Sequence, residues 1–259
     1  GTLMLEVQNL RFSFGAREVL KGVSFAATEN ELIFLLGANG AGKTTLFRCM
    51  LGLLHGYHGK ILLNGQNVES LPAKELARRV AYIPQFHNPV FAYTALDMVL
   101  MGTNHRLSTF ASPGRRERET AMQAMVQLGI EEFAGRNFQE LSGGEQQLVL
   151  VARGLAQEAK ILLMDEPTSA LDYGNQLRVL EKVSALSAQG YTILLSCHNP
   201  QLAMLYARRV IALHDGRIAA DGPPETALDP QLIRLLYGVE ANFLQMPDGI
   251  LIAPVHKNP

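Results

Sequence analysis

The glycine-rich run from Gly37 to Thr44 is the feature that most constrains what this chain can fold into. It fits the pattern GxxxxGK[ST] and stands between the apolar run Glu31–Leu36 and a stretch of helical spacing that begins at Lys43. Glycines let backbone N–H groups close around a polyphosphate, and a following helix directs its positive end at the same anion. The run therefore predicts a nucleotide-binding βα unit, in which Lys43 reaches the β and γ phosphates and the Thr44 hydroxyl ligates Mg²⁺.

Hydrophobic patterns along the rest of the chain predict an α/β fold. Leu3–Leu10 and Val19–Ala27 read as strands with partial alternation, and helical spacing extends from Lys43 to Leu54. Ile161–Met164 and Thr192–Ser196 are apolar runs with helical stretches between and after them, which predicts parallel strands joined by helices.

The middle and the end of the chain have a different character. The segment from about 90 to 155 predicts an inserted helical region, in which Ala121, Met125 and Leu128 recur at helical spacing and Thr103–Gly114 is a loop. Further on, two strand runs flank Asp215-Gly216, which predicts a hairpin. Beyond residue 222 we predict a short appendage with one helical run near Pro230–Tyr237.

Composition limits the function classes. The chain has 259 residues, a formal net charge of −1, 47% hydrophobic and 18% charged residues, so it is globular and gives no support for nucleic acid as a partner. Cys49 and Cys197 stand in no metal-binding spacing and are expected to be small buried hydrophobes. No stretch approaches the roughly 18 apolar residues of a membrane span, so any path across a membrane must come from another chain.

Four polar residues at predicted strand ends are candidates for the phosphate site. Asp165 ends an apolar run and is suited to hold Mg²⁺ through water, while Glu166 after it is suited to polarise an attacking water. His198 follows another buried strand and is placed to contact the γ phosphate. Gln85 ends the run that starts at Ala81, and its amide can bind metal or water. Solvated acids, a structural histidine and a surface glutamine are the alternatives.

The run Leu141-Ser-Gly-Gly-Glu145 resembles the signature motif of ABC ATPases and lies between the glycine loop and Asp165, where that family carries it. The serine hydroxyl and the free N–H groups of a helix start form an anion site, although a serine that only caps its helix is the alternative. The resemblance covers nearly the whole chain. It implies a P-loop ABC ATPase fold over residues 3–222, with a RecA-like core, an N-terminal antiparallel β subdomain and the inserted α-helical subdomain, followed by an appendage over 223–259.

The same resemblance assigns site residues by position. ATP-binding residues are Phe14, Gly37, Ala38, Asn39, Gly40, Ala41, Gly42, Lys43, Thr44, Thr45, Ser142, Gly143, Gly144 and Asp172. Catalytic residues are Lys43, Gln85, Glu166 and His198, and Mg²⁺ ligands are Thr44, Gln85 and Asp165. Tyrosine is more usual at the adenine-stacking position of Phe14, and Phe12 is the alternative there.

The family implies a mechanism and partners. Two copies face each other head to tail, and each ATP is completed by Ser142 and Gly144 of the other copy. The motion of this dimer is passed to multi-spanning permease subunits, with a periplasmic or extracellular solute-binding protein as an indirect partner. The implied location is peripheral, at the cytoplasmic face of the cell membrane.

Two segments resemble one branch of the family. Phe91–Gly102 and Asn104–Phe110 are similar to importers for metal chelates, which implies a ferric siderophore as first cargo, with haem, cobalamin or molybdate behind it. A soluble ABC ATPase that assembles iron–sulfur clusters is the alternative, and a membrane or a soluble partner discriminates the two.

Overall fold

A computed structural model describes residues 1–85 and 91–256. These residues form two compact units, one from Gly1–Ser70 together with the chain from Thr192 onward, and one from Leu71–Tyr191. The strands are β1 (Leu3–Phe14), β2 (Arg17–Thr28), β3 (Leu32–Leu36), β4 (His58–Leu63), β5 (Gln66–Asn67), β6 (Val80–Ile83), β7 (Ile161–Asp165), β8 (Thr192–Cys197), β9 (Arg209–His214), β10 (Arg217–Gly222), β11 (Ala241–Met246) and β12 (Gly249–Pro254). The helices are α1 (Lys43–Met50), α2 (Ala73–Ala77), α3 (Ala95–Leu100), α4 (Arg115–Gln127), α5 (Gly143–Ala156), α6 (Tyr173–Ser187), α7 (Pro200–Tyr206), α8 (Pro224–Ala227) and α9 (Pro230–Tyr237).

The first unit begins with an antiparallel sheet of order β2-β1-β4-β5. Strand β1 continues past its predicted end at Leu10 and β2 starts before its predicted beginning at Val19, because Gly15 at φ 58° closes a tight turn between them. Asn64 and Gly65, at φ 50° and 76°, make the corresponding turn between β4 and β5. Both backbones adopt the left-handed values that tight hairpin turns require.

In the second sheet of this unit, β3 is an inner strand, and its five residues are all buried. Strands β8 and β9 flank β3 in parallel, and β10 pairs antiparallel with β9. The predicted hairpin is confirmed, since Asp215 and Gly216 have φ of 46° and 72° between β9 and β10. Cys49 and Cys197 are buried and free, and burial raises the pKa of the Cys49 thiol to about 12, so the expectation of small buried hydrophobes is confirmed.

One expectation for this unit was wrong, and another was incomplete. Helix α1 ends at Met50 rather than Leu54, because Gly52 has φ 70° and stops the helix, and Leu53 is 65% exposed instead of facing the core. The appendage holds more than the predicted helix α9, since β11 and β12 pair as an antiparallel hairpin. Its turn is Pro247-Asp248, with Gly249 as the first residue of β12, a turn signal that the hydrophobic pattern around it does not reveal.

The second unit combines a parallel strand pair with helices. Strands β6 and β7 are parallel, as expected for strands joined by helices. Ala121 and Met125 of α4 are buried, as is Leu128 directly after it, so the predicted helical region is confirmed. The predicted loop Thr103–Gly114 was partly wrong, because a 3₁₀ turn spans Met101–Arg106. In the part of the chain described, no helix is long and apolar enough to cross a membrane.

Candidate functional site

Three positions of the glycine loop after β3 need glycine, two because of their backbone conformation and one because of a close neighbour. Gly40 and Gly42 have φ of 84° and 107°, the left-handed region that L side chains rarely adopt. Gly37 has an ordinary φ, but a Cβ there would lie 2.5 Å from the Leu213 carbonyl oxygen of β9. The loop therefore keeps the open, N–H-lined shape that binds an anion ahead of helix α1.

The β9–β10 turn supports this loop from the same unit. The Gly216 N–H donates to the Ala41 carbonyl at 3.1 Å, and the Lys21 N–H donates to the Gly216 carbonyl at 2.9 Å. A Cβ at Gly216 would come 2.1 Å from the Val19 carbonyl oxygen, so the close approach of β2 needs glycine. The predicted hairpin thus has a second purpose, because it fixes the loop that carries the phosphate motif.

Lys43 and Thr44 stand at the start of α1. Lys43 is only 7% exposed, and its ammonium donates to the Gly37 carbonyl at 2.6 Å, so the fold holds its charge inside the loop. Thr44 is exposed and Thr45 half-buried. At the loop tip Ala38 is half-buried and Asn39 is exposed. Both a positioned cation and accessible loop residues are therefore present, as phosphate binding requires.

His198 leaves the sheet at the same edge as the glycine loop. Leu36 of β3 pairs with Cys197 of β8 in parallel register, so Gly37 and His198 follow paired residues. The His198 side chain is exposed. Asn199, the next residue, caps α7 by accepting N–H bonds from Gln201 at 3.0 Å and Leu202 at 3.4 Å. Asparagine is among the preferred helix N-caps, so the start of α7 fixes the chain directly after His198.

The two candidate adenine-stacking residues differ in burial. The rings of Phe12 and Phe14 meet edge to face with centroids 4.8 Å apart. Phe12 is 9% exposed and belongs to the core, whereas Phe14 is 48% exposed. Only a ring with a free face can stack on a base, so the geometry favours Phe14 and leaves its role a prediction.

We expect Phe14→Ala and Phe12→Ala to separate binding from stability. Loss of a stacking ring should weaken ATP binding by about 1–3 kcal/mol with little change in unfolding. Loss of a buried phenylalanine should lower the free energy of unfolding by about 3–5 kcal/mol. Equilibrium ATP titrations and urea denaturation of both variants check this. Normal ATP affinity in Phe14→Ala would remove Phe14 from the nucleotide site.

The second unit brings Gln85, Asp165 and Glu166 together at one strand edge. Ile83 of β6 pairs with Met164 of β7 in parallel register, so the residues that follow both strands share that edge. The Tyr82 hydroxyl donates to the Asp165 Oδ2 at 3.1 Å. This contact orients the carboxylate, and sequence analysis missed it because Tyr82 carries no motif signal.

Ser169 connects Gln85 with the backbone of Glu166. The Gln85 amide nitrogen donates to the Ser169 Oγ at 2.6 Å, and that hydroxyl donates to the Glu166 carbonyl at 3.1 Å. Glu166 itself has φ 43°, a left-handed conformation that costs a non-glycine residue on the order of 1–2 kcal/mol. Strained backbone of this kind is typical of functional sites.

The signature run begins α5 as expected. The Ser142 Oγ accepts the Glu145 N–H at 3.2 Å, and the Glu145 carboxylate accepts the Ser142 N–H at 3.3 Å. Ser142 therefore caps its helix, yet its side chain is exposed and open to a further anion. A Cβ at Gly144 would meet the Asn175 Oδ1 at 2.6 Å, which requires glycine there.

Neighbouring residues complete this helix start. A Cβ at Gly143 would lie 3.1 Å from Leu171 Cδ2. Asp172 caps α6 by accepting the Asn175 N–H at 2.8 Å and its side-chain amide at 3.1 Å. The starts of α5 and α6 therefore pack closely at Asn175, a residue that sequence analysis did not identify.

The side chains predicted to bind metal suit Mg²⁺ that arrives with a nucleotide, and they do not suit a metal ion held by protein ligands alone. Residues 1–85 and 91–256 contain no group of three or more His, Cys, Asp or Glu side chains that could hold a metal ion. The predicted ligands Thr44, Gln85 and Asp165 offer only oxygen atoms. Mg²⁺ prefers such ligands and usually takes one or two from the protein and the rest from substrate phosphates and water.

A family model described as ABC transporter matches residues 20–169, more than half of the chain. The chain belongs to the ABC transporter family, and within it to the ATP-hydrolysing, ATP-binding subunits. The α/β fold with an antiparallel β subdomain, a parallel core sheet and a helical region is the ABC ATPase fold, so the fold prediction is confirmed.

Individual relatives place the chain more closely. It is 42% identical over 211 residues to an uncharacterised ABC transporter ATP-binding protein of Haemophilus influenzae, covering 82% of this chain and 80% of the relative. It is 35% identical over 238 residues to the hemin import ATP-binding protein HmuV of Hahella chejuensis, covering 89% and 91%. A solved structure described as a metal-chelate type ABC transporter in an inward-facing conformation matches 99% of both chains, with TM-score 0.85 and 32% identity. The chain is therefore related to the metal-chelate type.

Proposed function

We propose that this protein is the ATPase subunit that powers import of a metal chelate, working as a homodimer bound to permease subunits. The observation that carries the proposal is that one chain holds two helix starts suited to anions. One is the glycine loop that precedes α1, and the other is the exposed Ser142 at α5. A pair of copies arranged head to tail gives each ATP one helix start of each kind.

The residues have separate tasks in this proposal. Lys43 and the loop N–H groups bind the phosphates, Phe14 stacks on adenine, and His198 contacts the γ phosphate. Glu166 polarises the attacking water, and Tyr82 orients Asp165 through its hydroxyl. Mg²⁺ bound with ATP would be held by Thr44, Gln85 and Asp165, and it supplies charge neutralisation on the phosphate oxygens.

The hydrogen bond of Gln85 gives ATP binding a route to the rest of its unit. Gln85 donates to Ser169, and Ser169 donates to the backbone of Glu166. If Gln85 turns to the nucleotide, it leaves Ser169, and the segment that runs from Glu166 to Asp172 is released from that contact. The other copy's ATP would then be completed by Ser142, Gly143 and Gly144, with Asp172 at the dimer interface.

The cargo is proposed by relation to other proteins. The relative HmuV is named for hemin import, and the matched structure is described as metal-chelate type. Both support a metal chelate, and we take a ferric siderophore first, with haem, cobalamin or molybdate behind it. The protein would act at the cytoplasmic face of the cell membrane, with a solute-binding protein as an indirect partner. Iron–sulfur cluster assembly remains the second candidate.

Co-purification tests this proposal. Tagged Glu166→Gln protein is expressed in the native host, membranes are extracted in mild detergent with ATP, and companions are identified by mass spectrometry. We expect a multi-spanning chain to come with it, and Lys43→Ala, whose affinity for ATP should be lowered, serves as the control. Only soluble companions, with the tagged chain absent from membranes, would contradict the importer proposal and favour cluster assembly.

A further inference from the structure

We propose that a cleft within the unit Leu71–Tyr191 binds a phosphate group separate from the phosphates of ATP. The cleft has a volume of about 450 Å³ and is lined by Arg78, His105, Arg106, Arg116, Gln157 and Glu158. We call it the arginine cleft. Its size is within the range of small-ligand sites, and none of its lining residues belongs to the ATP site described above.

Cationic side chains reach the arginine cleft from three different elements. Arg78 follows α2, His105 and Arg106 end the 3₁₀ turn Met101–Arg106, and Arg116 lies in the first turn of α4. Glu158 is the single carboxylate among the lining residues. Folding thus brings together three guanidinium groups that repel one another, which is unfavourable unless an anion joins them.

The carboxylates near the cleft do not satisfy all three arginines. Arg106 pairs with Glu158, and Arg78 pairs with Glu75 at 2.8 Å. Among residues 1–85 and 91–256, the Arg116 side chain forms no hydrogen bond or ion pair, and the carboxylate that its charge acts on is that of Glu117. One guanidinium of the cleft is therefore available to an incoming ligand.

The positive charges of the cleft act on the partly buried Arg106 and on His105. The Arg106 side chain is 14% exposed. Burial lowers the pKa of Arg106, the charges of Arg116 and Arg78 lower it further, and Glu117 acts in the opposite direction. Burial also lowers the pKa of His105. The hydrogen bond to the Gly102 carbonyl raises this pKa, and the charges of Arg106 and Arg78 lower it. A bound anion would offset the repulsion at both residues.

Phosphate suits this arrangement for a geometric reason. A guanidinium presents N–H groups in a planar fork that matches two oxygens of a phosphate, and such charge-assisted pairs are stronger than neutral hydrogen bonds. The cleft volume exceeds what a single phosphate needs. The phosphate can therefore come from free inorganic phosphate or from the headgroup of an anionic lipid.

The test measures binding of both sources to the full chain. A non-hydrolysable ATP analogue with Mg²⁺ first saturates the ATP site, so that added phosphate cannot bind there. Inorganic phosphate is then titrated by calorimetry, and flotation is measured with vesicles of phosphatidylglycerol and phosphatidylcholine against phosphatidylcholine alone. The variants are Arg116→Gln and Arg78→Gln, both exposed positions whose unfolding is checked by thermal melting.

Arg115→Gln is the matched control. Arg115 precedes Arg116 on α4, is 93% exposed, pairs with Glu119 at 2.9 Å and does not line the cleft. Removing the Arg116 charge should weaken binding roughly tenfold, as for loss of a charge-assisted hydrogen bond, while Arg115→Gln changes it less than about twofold.

Each outcome decides the proposal. Calorimetric binding that depends on Arg116 supports free phosphate as the source, and flotation with anionic vesicles alone that depends on Arg116 supports a lipid headgroup. Equal loss in Arg115→Gln would show general surface charge and overturn the proposal, as would a wild-type chain that binds neither probe. Normal ATPase activity of Arg116→Gln is expected in every supporting case, which separates this inference from the proposed import function.

Discussion

Glu166→Gln is expected to reduce steady-state ATP hydrolysis by at least about a hundredfold, the scale of general-base catalysis, while ATP still binds. The amide keeps the shape of the side chain but cannot accept the proton of an attacking water. The backbone of Glu166 is held at φ 43° by two hydrogen bonds from Ser169 to its carbonyl, and the substitution leaves these in place. The loss should therefore appear in turnover and leave folding unchanged.

Phosphate release and ATP affinity, measured on the same purified preparation, check this expectation. Glu181→Gln is the control, because Glu181 is exposed on α6 and changes the net charge by the same amount. Turnover of Glu166→Gln equal to that of Glu181→Gln would exclude Glu166 as the catalytic carboxylate. A parallel loss of ATP affinity would instead indicate that the substitution damages the site as a whole.

The parts of the fold that depend on local chemistry could be predicted from the sequence. The glycine loop, the Asp215-Gly216 hairpin and the capping serine of α5 each follow from backbone preferences within a few residues. The strand ends that carry Asp165 and His198 follow from short apolar runs, whose burial the structure bears out.

The rest depended on contacts between residues distant in the chain. Position 37 needs glycine because of a residue far along the sequence. A Cβ at this position would lie 2.5 Å from the carbonyl oxygen of Leu213. The Tyr82 and Asp165 side chains meet through the register of β6 and β7, which no local pattern specifies. The end of α1 was misjudged for a different reason. The apolar spacing continues to Leu54, but the left-handed conformation of Gly52 ends the helix before that residue.

The arginine cleft shows the same limit for charge. The mixed charges around Arg115 and Glu119 predict a solvated helix face, and that pair is indeed exposed. Arg116, the next residue, is also exposed, but it lines a cleft that it shares with Arg78 and Arg106. The sequence shows only a run of charges. The packing of α4 near the 3₁₀ turn decides that Arg116, and not Arg115, lines the cleft.

Lys43→Ala is expected to raise the dissociation constant of ATP by about 10- to 150-fold, the equivalent of one charge-assisted hydrogen bond worth about 1.5–3 kcal/mol. The fold already pays the desolvation of this ammonium, since Lys43 is 7% exposed and donates to the Gly37 carbonyl at 2.6 Å. ATP therefore meets a positioned charge, and little further ordering opposes binding. Alanine removes the charge and leaves Gly40 and Gly42 to shape the loop.

Titration with a fluorescent ATP analogue, together with thermal melting in the absence of nucleotide, separates affinity from stability. Lys60→Ala is the matched control, because Lys60 is an exposed lysine of β4 in the same unit. A melting temperature close to that of the wild type with a weakened affinity would confirm that Lys43 acts on the phosphates. Unchanged affinity would contradict the phosphate-loop assignment itself. A positive charge held beside bound phosphates must strengthen their binding, so its removal has to weaken that binding.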